Sequence, residues 1–249
     1  MGLVIRRLLA VAVLSLLPAP AAFAQSPLVA ELAGLSRRYH QDPGRLDAVY
    51  TGLSEAVKSD SHPDNMIALS QAAFIWGDVR ARTPEEKLEA YDRGRRAGER
   101  AAELVPRSAL AHLWLAVNAG RWGQTKGVLR SLFLLPTVKE HIETALSLDP
   151  GLVPAYVLAG SVYYEVPGLF GGDLDKSESM FKKALTLDPR WTGARVGLAR
   201  TLAKQGRSAE ARREAQTVLG ERDPRNPADW TLKDSREARE LLASLGPAR

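Results

Sequence analysis

Residues 152–189 read LVPAYVLAGSVYYEVPGLFGGDLDKSESMFKKALTLDP, two short helical segments joined by a Gly/Pro turn and closed by Asp-Pro. In the first segment Tyr156, Ala159, Gly160 and Tyr163 recur at i, i+3, i+4 and i+7, one face of a helix; in the second, Ser177, Phe181 and Ala184 do the same. A small residue at Gly160 lets the two helices approach closely, and the large rings fill the space beside it. Gly160→Leu is therefore expected to unfold this unit, because a tight helix contact has no room for the added volume.

The Asp-Pro ending recurs at 149–150, 188–189 and 223–224, with Val105-Pro106 a weaker member, and the steps from proline to proline are 44, 39 and 35 residues. The shortest step is close to the 34-residue tetratricopeptide repeat, whose first helix carries W-x2-L-G-x2-Y and whose second carries A-x3-F before a closing proline. Fainter copies flank the best one. Leu198, Ala199 and Leu202 followed by Ala211, Ala215 and Val218 form one; Leu115, Ala116 and Ala119 followed by Ile142, Ala145 and Pro150 form another. The poorest reads Leu69, Ala72, Ala73 and Trp76, then Ala101 and Pro106. Helix starts are written into the same stretches: Thr83-Pro84-Glu85-Glu86 places an N-cap, a first-position proline and two acids in order, Ser108 and Asp173 cap later helices, and the Asp64-Asn65 pair offers a cap near residue 64. Strand alternation of period two is missing. The expected fold is all-α, a tetratricopeptide-like α-solenoid of helical hairpins with insertions between paired helices. An N-terminal helical pair is expected at 25–63, the repeat array at 64–224 and a C-terminal capping helix at 225–249.

The first 24 residues resemble a secretory leader. Arg6 and Arg7 precede an apolar run at 8–17, Pro18 breaks it, and Ala22-Phe23-Ala24 fits a cleavage site that makes Gln25 the mature N-terminus. The run is too short for the roughly 20 apolar residues of a membrane span, so the mature chain is expected in the periplasm or secreted, with no transmembrane span. Without the two leader arginines, 32 basic residues face 29 acidic ones, too small and dispersed an excess to suggest nucleic acid. The absence of cysteine excludes disulfides, thiolate zinc sites, a cysteine nucleophile and a lipobox anchor. The four histidines (His40, His62, His112, His141) fall in no metal-ligand spacing, and no G-x-S-x-G, P-loop or dinucleotide motif occurs. No catalytic residue, cofactor or metal is predicted.

Candidate binding residues come from two sources. The first helices of a tetratricopeptide array line its concave face, and the repeat register points Phe74, Leu113, Val117, Val157, Tyr164 and Arg200 inward. Such a lining is apolar where peptide grooves are usually charged; it is either core covered by the insertions or the wall of a site for an apolar ligand. The second source is the insertions, which lengthen three units by roughly 9, 10 and 5 residues over the template. They are read as loops at 76–85, 120–137 and 166–173 and contribute Arg121, Trp122, Leu132, Phe133, Leu169 and Phe170. The apolar run LFLL at 132–135 either packs on the solenoid or meets a partner or membrane.

AHLWLAVNAGRWG (111–123), HIETALSLDP (141–150) and YYEVPGLFGGDLDKSESMFKKALTLDP (163–189) resemble the T-component family, periplasmic tetratricopeptide proteins associated with tripartite ATP-independent periplasmic (TRAP) transporters. The Pro-Gly-x-x-Gly-Gly-Asp loop is the most specific piece. A weaker similarity extends to the regulator of microtubule dynamics family. The first resemblance implies a non-catalytic partner of a transporter's solute-binding protein, with homo-oligomers in some members and an apolar channel; unlike typical T-components, this chain has no cysteine to lipidate. Two functions are therefore expected: an exported adaptor for a protein partner, or a soluble carrier of a hydrophobic small molecule or lipid in the concave groove.

Overall fold

Within residues 26–59 and 62–246, which the computed structural model describes, every regular element is helical. The leader read at 1–24 lies outside the described residues. Two helices, α1 (Pro27–Leu35) and α2 (Pro43–Ser59), lead into four hairpins: α3 (Pro63–Val79) with α4 (Pro84–Leu104), α5 (Ala109–Lys126) with α6 (Val128–Leu148), α7 (Val153–Glu165) with α8 (Leu174–Leu187), and α9 (Thr192–Lys204) with α10 (Ser208–Gly220). The one-turn α11 (Pro227–Asp229) and a π turn over Trp230–Asp234 then enter α12 (Ser235–Ser244), which caps α10. The final helical segment begins at Pro227, where Asn226 accepts from the amides of Ala228 and Asp229 and starts it.

Local chemistry accounts for most boundaries. Thr83 and Glu86 exchange hydrogen bonds in a full capping box, Ser108 accepts from the Ala111 amide, and Asp173 accepts from the amides of Asp175 and Lys176. At α3 the cap is His62 rather than Asp64 or Asn65: its ring accepts from the Asp64 amide, with Pro63 at the first helical position, and Asn65 is buried with its carbonyl accepting from the Ser26 amide.

The solenoid of hairpins is the one the repeat predicts, but the added residues take another form. The stretch at 120–137 is no loop. It lengthens α5 and α6, and the joint between them is Gly127 alone, whose φ of 112° closes the turn. Residues 76–85 likewise extend α3 and α4 and leave only a short link. Pro136 is the ninth residue of α6, where it lacks a backbone donor and crowds the preceding turn, yet the helix runs on past it to Leu148. Only 166–173 is a true loop, built on a 3-10 turn at Gly168–Phe170.

The ends of the array meet. The Ala228 amide donates to Arg37 O (3.1 Å), Arg37 Nε to Arg225 O (2.9 Å) and Asn226 Nδ2 to Ser36 O (3.3 Å). Ala228 is fully buried within the apolar cluster that α1, α2 and α3 build. The superhelix is therefore closed into a ring.

Candidate functional site

Closing the ring turns the concave face into a chamber of about 1220 Å³, walled by α3, α5, α7 and α9 and shut at the seam by the segment around α11. A volume of this size exceeds the usual range for small-molecule sites, about 300–1,000 Å³. The wall is most apolar along α7. From Val153 to Tyr164 that helix carries no charged residue, yet only Ala155, Ala159 and Gly160 are fully buried. Val157, Leu158 and Val162 stay half-buried and face the chamber, opposite Phe74, Trp114 and Val117.

Charge gathers where the ring closes. Asp78 on α3 is held by Arg121 Nη2 on α5 at 3.0 Å and by Lys233 Nζ at 2.9 Å. Lys233 also reaches Asp229 Oδ1 at 2.8 Å, and Asp229 accepts from the Tyr39 hydroxyl (2.5 Å) and from Asn226 Nδ2 (2.6 Å). Burial alone would raise the Asp78 carboxyl, but Arg121 and Lys233 outweigh it and keep it below the ordinary carboxylate range. Burial likewise pulls the Lys233 ammonium down, and Asp229 with Asp78 drives it well above its usual value. This network ties α1, α3, α5 and the C-terminal segment together. Nearby, burial lifts Asp234 to about 6, although the Thr192 hydroxyl donates to it at 2.6 Å. On the far side Arg200 stacks on Tyr164 (4.7 Å to the ring centre) and pairs with Glu165 at 3.1 Å.

Seven of the twelve sequence-derived candidates meet at this chamber: Phe74, Leu113, Val117, Arg121, Val157, Tyr164 and Arg200. Leu113 is 0% exposed and so stands in the wall behind the surface rather than presenting area to it. The other five lie elsewhere. Trp122 sits under Arg95, Lys126 and Arg130, Leu132 is half-buried on α6, and Phe133, Leu169 and Phe170 point into solvent. The insertions therefore contribute Arg121, Ser131, Leu135 and Val166 to the wall, while the C-terminal segment closes the ring. Sequence reasoning missed Tyr39, Asp78, Asp229 and Lys233. No local signal marks them, since the Tyr39–Asp229 contact joins residues 190 apart.

A family model, regulator of microtubule dynamics protein 1-3, matches residues 32–169, more than half of the chain. The chain belongs to that family. A tetratricopeptide-repeat model takes over at 171–235, so the family's model ends in the turn between α7 and α8. Regulator of microtubule dynamics protein 3 of Xenopus laevis is 33% identical over 104 residues, covering 39% of this chain and 22% of that protein. The Mus musculus protein 3 is 24% identical over 197 residues, covering 70% of this chain and 42% of that protein. The chain thus spans well under half the length of these curated relatives. A thermophilic tetratricopeptide protein of Thermus thermophilus shares the fold, with a TM-score of 0.60 at 21% identity over 87% of this chain and 98% of that one. Folds of this kind typically serve as non-catalytic adaptors.

Proposed function

We propose that this family member is a non-catalytic binding protein whose central chamber holds an elongated, mainly apolar small molecule of lipid size. The observation that carries this reading is the charge-free face of α7, whose Val157, Leu158 and Val162 pack on neighbouring helices along one side and stay half-buried at the cavity along the other. A well-packed interior does not leave such a surface in water, whereas a ligand site is built from it. The charged seam around Asp78 and Lys233 and the Arg200–Tyr164 cluster supply the few polar groups that would orient a ligand with a polar end.

The chamber is less suited to the adaptor expected first, because the C-terminal segment bridges the concave groove that a folded domain would enter. A role beside the solute-binding component of a TRAP-type transporter rests on the T-component resemblance at 111–123 and 141–189 and would use the outer surface. Export to the periplasm rests on the leader motif at 1–24.

Native mass spectrometry of the purified protein tests the carrier reading. The expected result is a bound species of lipid mass that organic extraction removes. Gly120 lines the chamber, and a Cβ there would meet nothing within 4 Å. Gly120→Trp should therefore fill the space without disturbing the fold, giving an empty protein with an unchanged melt. A wild-type chain that is always empty and captures a solute-binding protein would replace the carrier with the adaptor.

A further inference from the structure

The five most exposed large apolar side chains among the described residues lie together in the chain's middle: Leu169 (90%), Leu129 (86%), Val128 and Phe133 (72% each) and Phe170 (49%). Val128, Leu129 and Phe133 occupy the first two turns of α6, where Leu129 and Phe133 share a face at i, i+4. Leu169 and Phe170 form the 3-10 turn between α7 and α8. Both features belong to hairpin turns, which neighbouring repeats place along one edge of a solenoid. Lys139 joins them, its ammonium reaching Gly171 O at 3.5 Å about 9 Å along α6 from Phe133.

The charge at the tip of the α5–α6 hairpin is basic, whereas the α7–α8 turn is flanked by Glu165 and Asp173, which pair with Arg200 and Lys176. Residues 104–139 contain five basic side chains (Arg107, Arg121, Lys126, Arg130 and Lys139) and not one acid. Lys126, Arg130 and Lys139 make no ion pair among the described residues. They lie over rings instead: Lys126 and Arg130 over Trp122 at 5.7 and 5.6 Å, Arg130 also over Phe133 at 5.6 Å, and Lys139 over Tyr163 at 5.8 Å. Protruding aliphatic tips, aromatic rings at their base and unpaired cations with long apolar stems are the composition of a surface that lies in a bilayer's headgroup boundary. A protein interface core is poor in lysine. No helix among the described residues is long and apolar enough to cross a membrane, so contact would be confined to the surface.

We propose that this edge docks on an anionic phospholipid bilayer. Leu129, Phe133, Leu169 and Phe170 enter the acyl boundary, while Lys126, Arg130 and Lys139 meet the headgroup phosphates. The inner side of the same turns contributes Ser131, Leu135 and Val166 to the chamber wall, so the docked edge adjoins the chamber. The docking itself does not depend on what the chamber holds.

Cosedimentation of the full chain with phosphatidylcholine vesicles, with and without phosphatidylglycerol, tests this. Binding is expected only with the anionic lipid, and it should weaken as salt rises. Leu129→Ser with Phe133→Ser, and separately Leu169→Ser with Phe170→Ser, should each reduce partitioning by about tenfold or more, with unchanged melts because these side chains face solvent. Because the chain has no cysteine, Leu169→Cys carrying an environment-sensitive dye gives a single-site reporter, whose emission should shift to the blue on anionic vesicles. Equal binding to neutral vesicles, unimpaired binding by the serine variants, or an unshifted dye overturns the proposal. So does the absence of vesicle binding together with self-association that Phe133→Ser abolishes, which would make the edge a contact between two copies.

Discussion

In the second half of the ring the hairpin helices are 13 or 14 residues long; in α3 to α6 they run from 17 to 21. Both halves bring helices together at glycines, and each fills the gap differently. In the short half Phe181 is the filler: a Cβ added at Gly160 would stand 2.9 Å from its ring, and one at Gly197 2.3 Å. In the long half the filler is polar. Asn118, fully buried, donates to Ser70 O and Trp114 O at 2.9 Å each, and a Cβ at Gly94 would meet its amide at 2.4 Å. One device is shared: a buried serine hydroxyl donates to a glycine carbonyl on the adjoining helix, Ser70 to Gly94 and Ser177 to Gly160. Asn118 Nδ2 finds its carbonyl acceptors on α3 and α5 in one register only, while its buried Oδ1 has no hydrogen-bond partner among the described residues, so the polar filler fixes register at a cost.

The largest expected effects set a glycine that meets a side chain against one that meets backbone. Gly160→Leu and Gly98→Leu should each cost more than about 3 kcal/mol, and thermal or denaturant unfolding reads the loss. They should differ in rescue. The Gly160 clash is with the Phe181 side chain, so Phe181→Ala in the same chain should restore much of the fold. At Gly98 the added Cβ meets the Leu115 backbone at 2.9 Å, which no side-chain truncation relieves. Equal rescue of both would show that the two halves do not pack as described.

A smaller effect is expected at the seam. Asp78→Ala removes the carboxylate that Arg121 and Lys233 share; Lys233 keeps Asp229 and Arg121 is partly exposed, so the cost should be about 1–2 kcal/mol, well below that of the glycine variants. The variant should also open the ring, because Lys233 carries the link from the C-terminal segment to α3. Small-angle scattering should show a larger maximum dimension than wild type. A destabilised variant of unchanged dimension would mean that the backbone contacts at Arg37 and Ala228 suffice to hold the ring.

The repeat was legible because its signals are local. Gly160, Phe181, the Thr83 capping box and the Asp173 cap each act within a few residues or at a fixed repeat spacing. The inward register was readable at Val117, Val157 and Tyr164 for the same reason. It failed at Leu113, which is fully buried in the wall behind the chamber surface. The closure of the ring was not legible: it depends on the accumulated rotation of four hairpins and joins residues such as Asp78 and Lys233, 155 apart. Nor could composition tell a helical extension from a loop at 120–137, since one glycine at 127 decides it.

The smallest expected effect again separates the halves, by the direction in which each answers to pH. In the long half His112 and His141 stack with their Nδ1 atoms 2.9 Å apart, and His112 Nε2 lies 3.0 Å from Pro106 O. That carbonyl can only accept, so His112 donates through Nε2 and accepts the His141 proton at Nδ1. Burial first, and His112 second, hold His141 below its ordinary 6.5, with Glu140 and Glu99 pulling weakly the other way. As pH falls below 6.5 the unfolded chain takes up this proton before the folded one, and stability drops. Near the C-terminus Asp234 answers in the opposite sense. Raised from 3.8 to about 6, chiefly by burial, it is protonated first in the folded chain, so acidification between those values adds stability. Asp229 and Glu237 reinforce the rise, while Lys233 and the Thr192 hydroxyl oppose it. Melting temperatures followed downward from pH 6.5 should therefore fall less in His141→Gln than in wild type and fall more in Asp234→Asn. Parallel curves for all three proteins would mean that neither group is buried in solution as it is here.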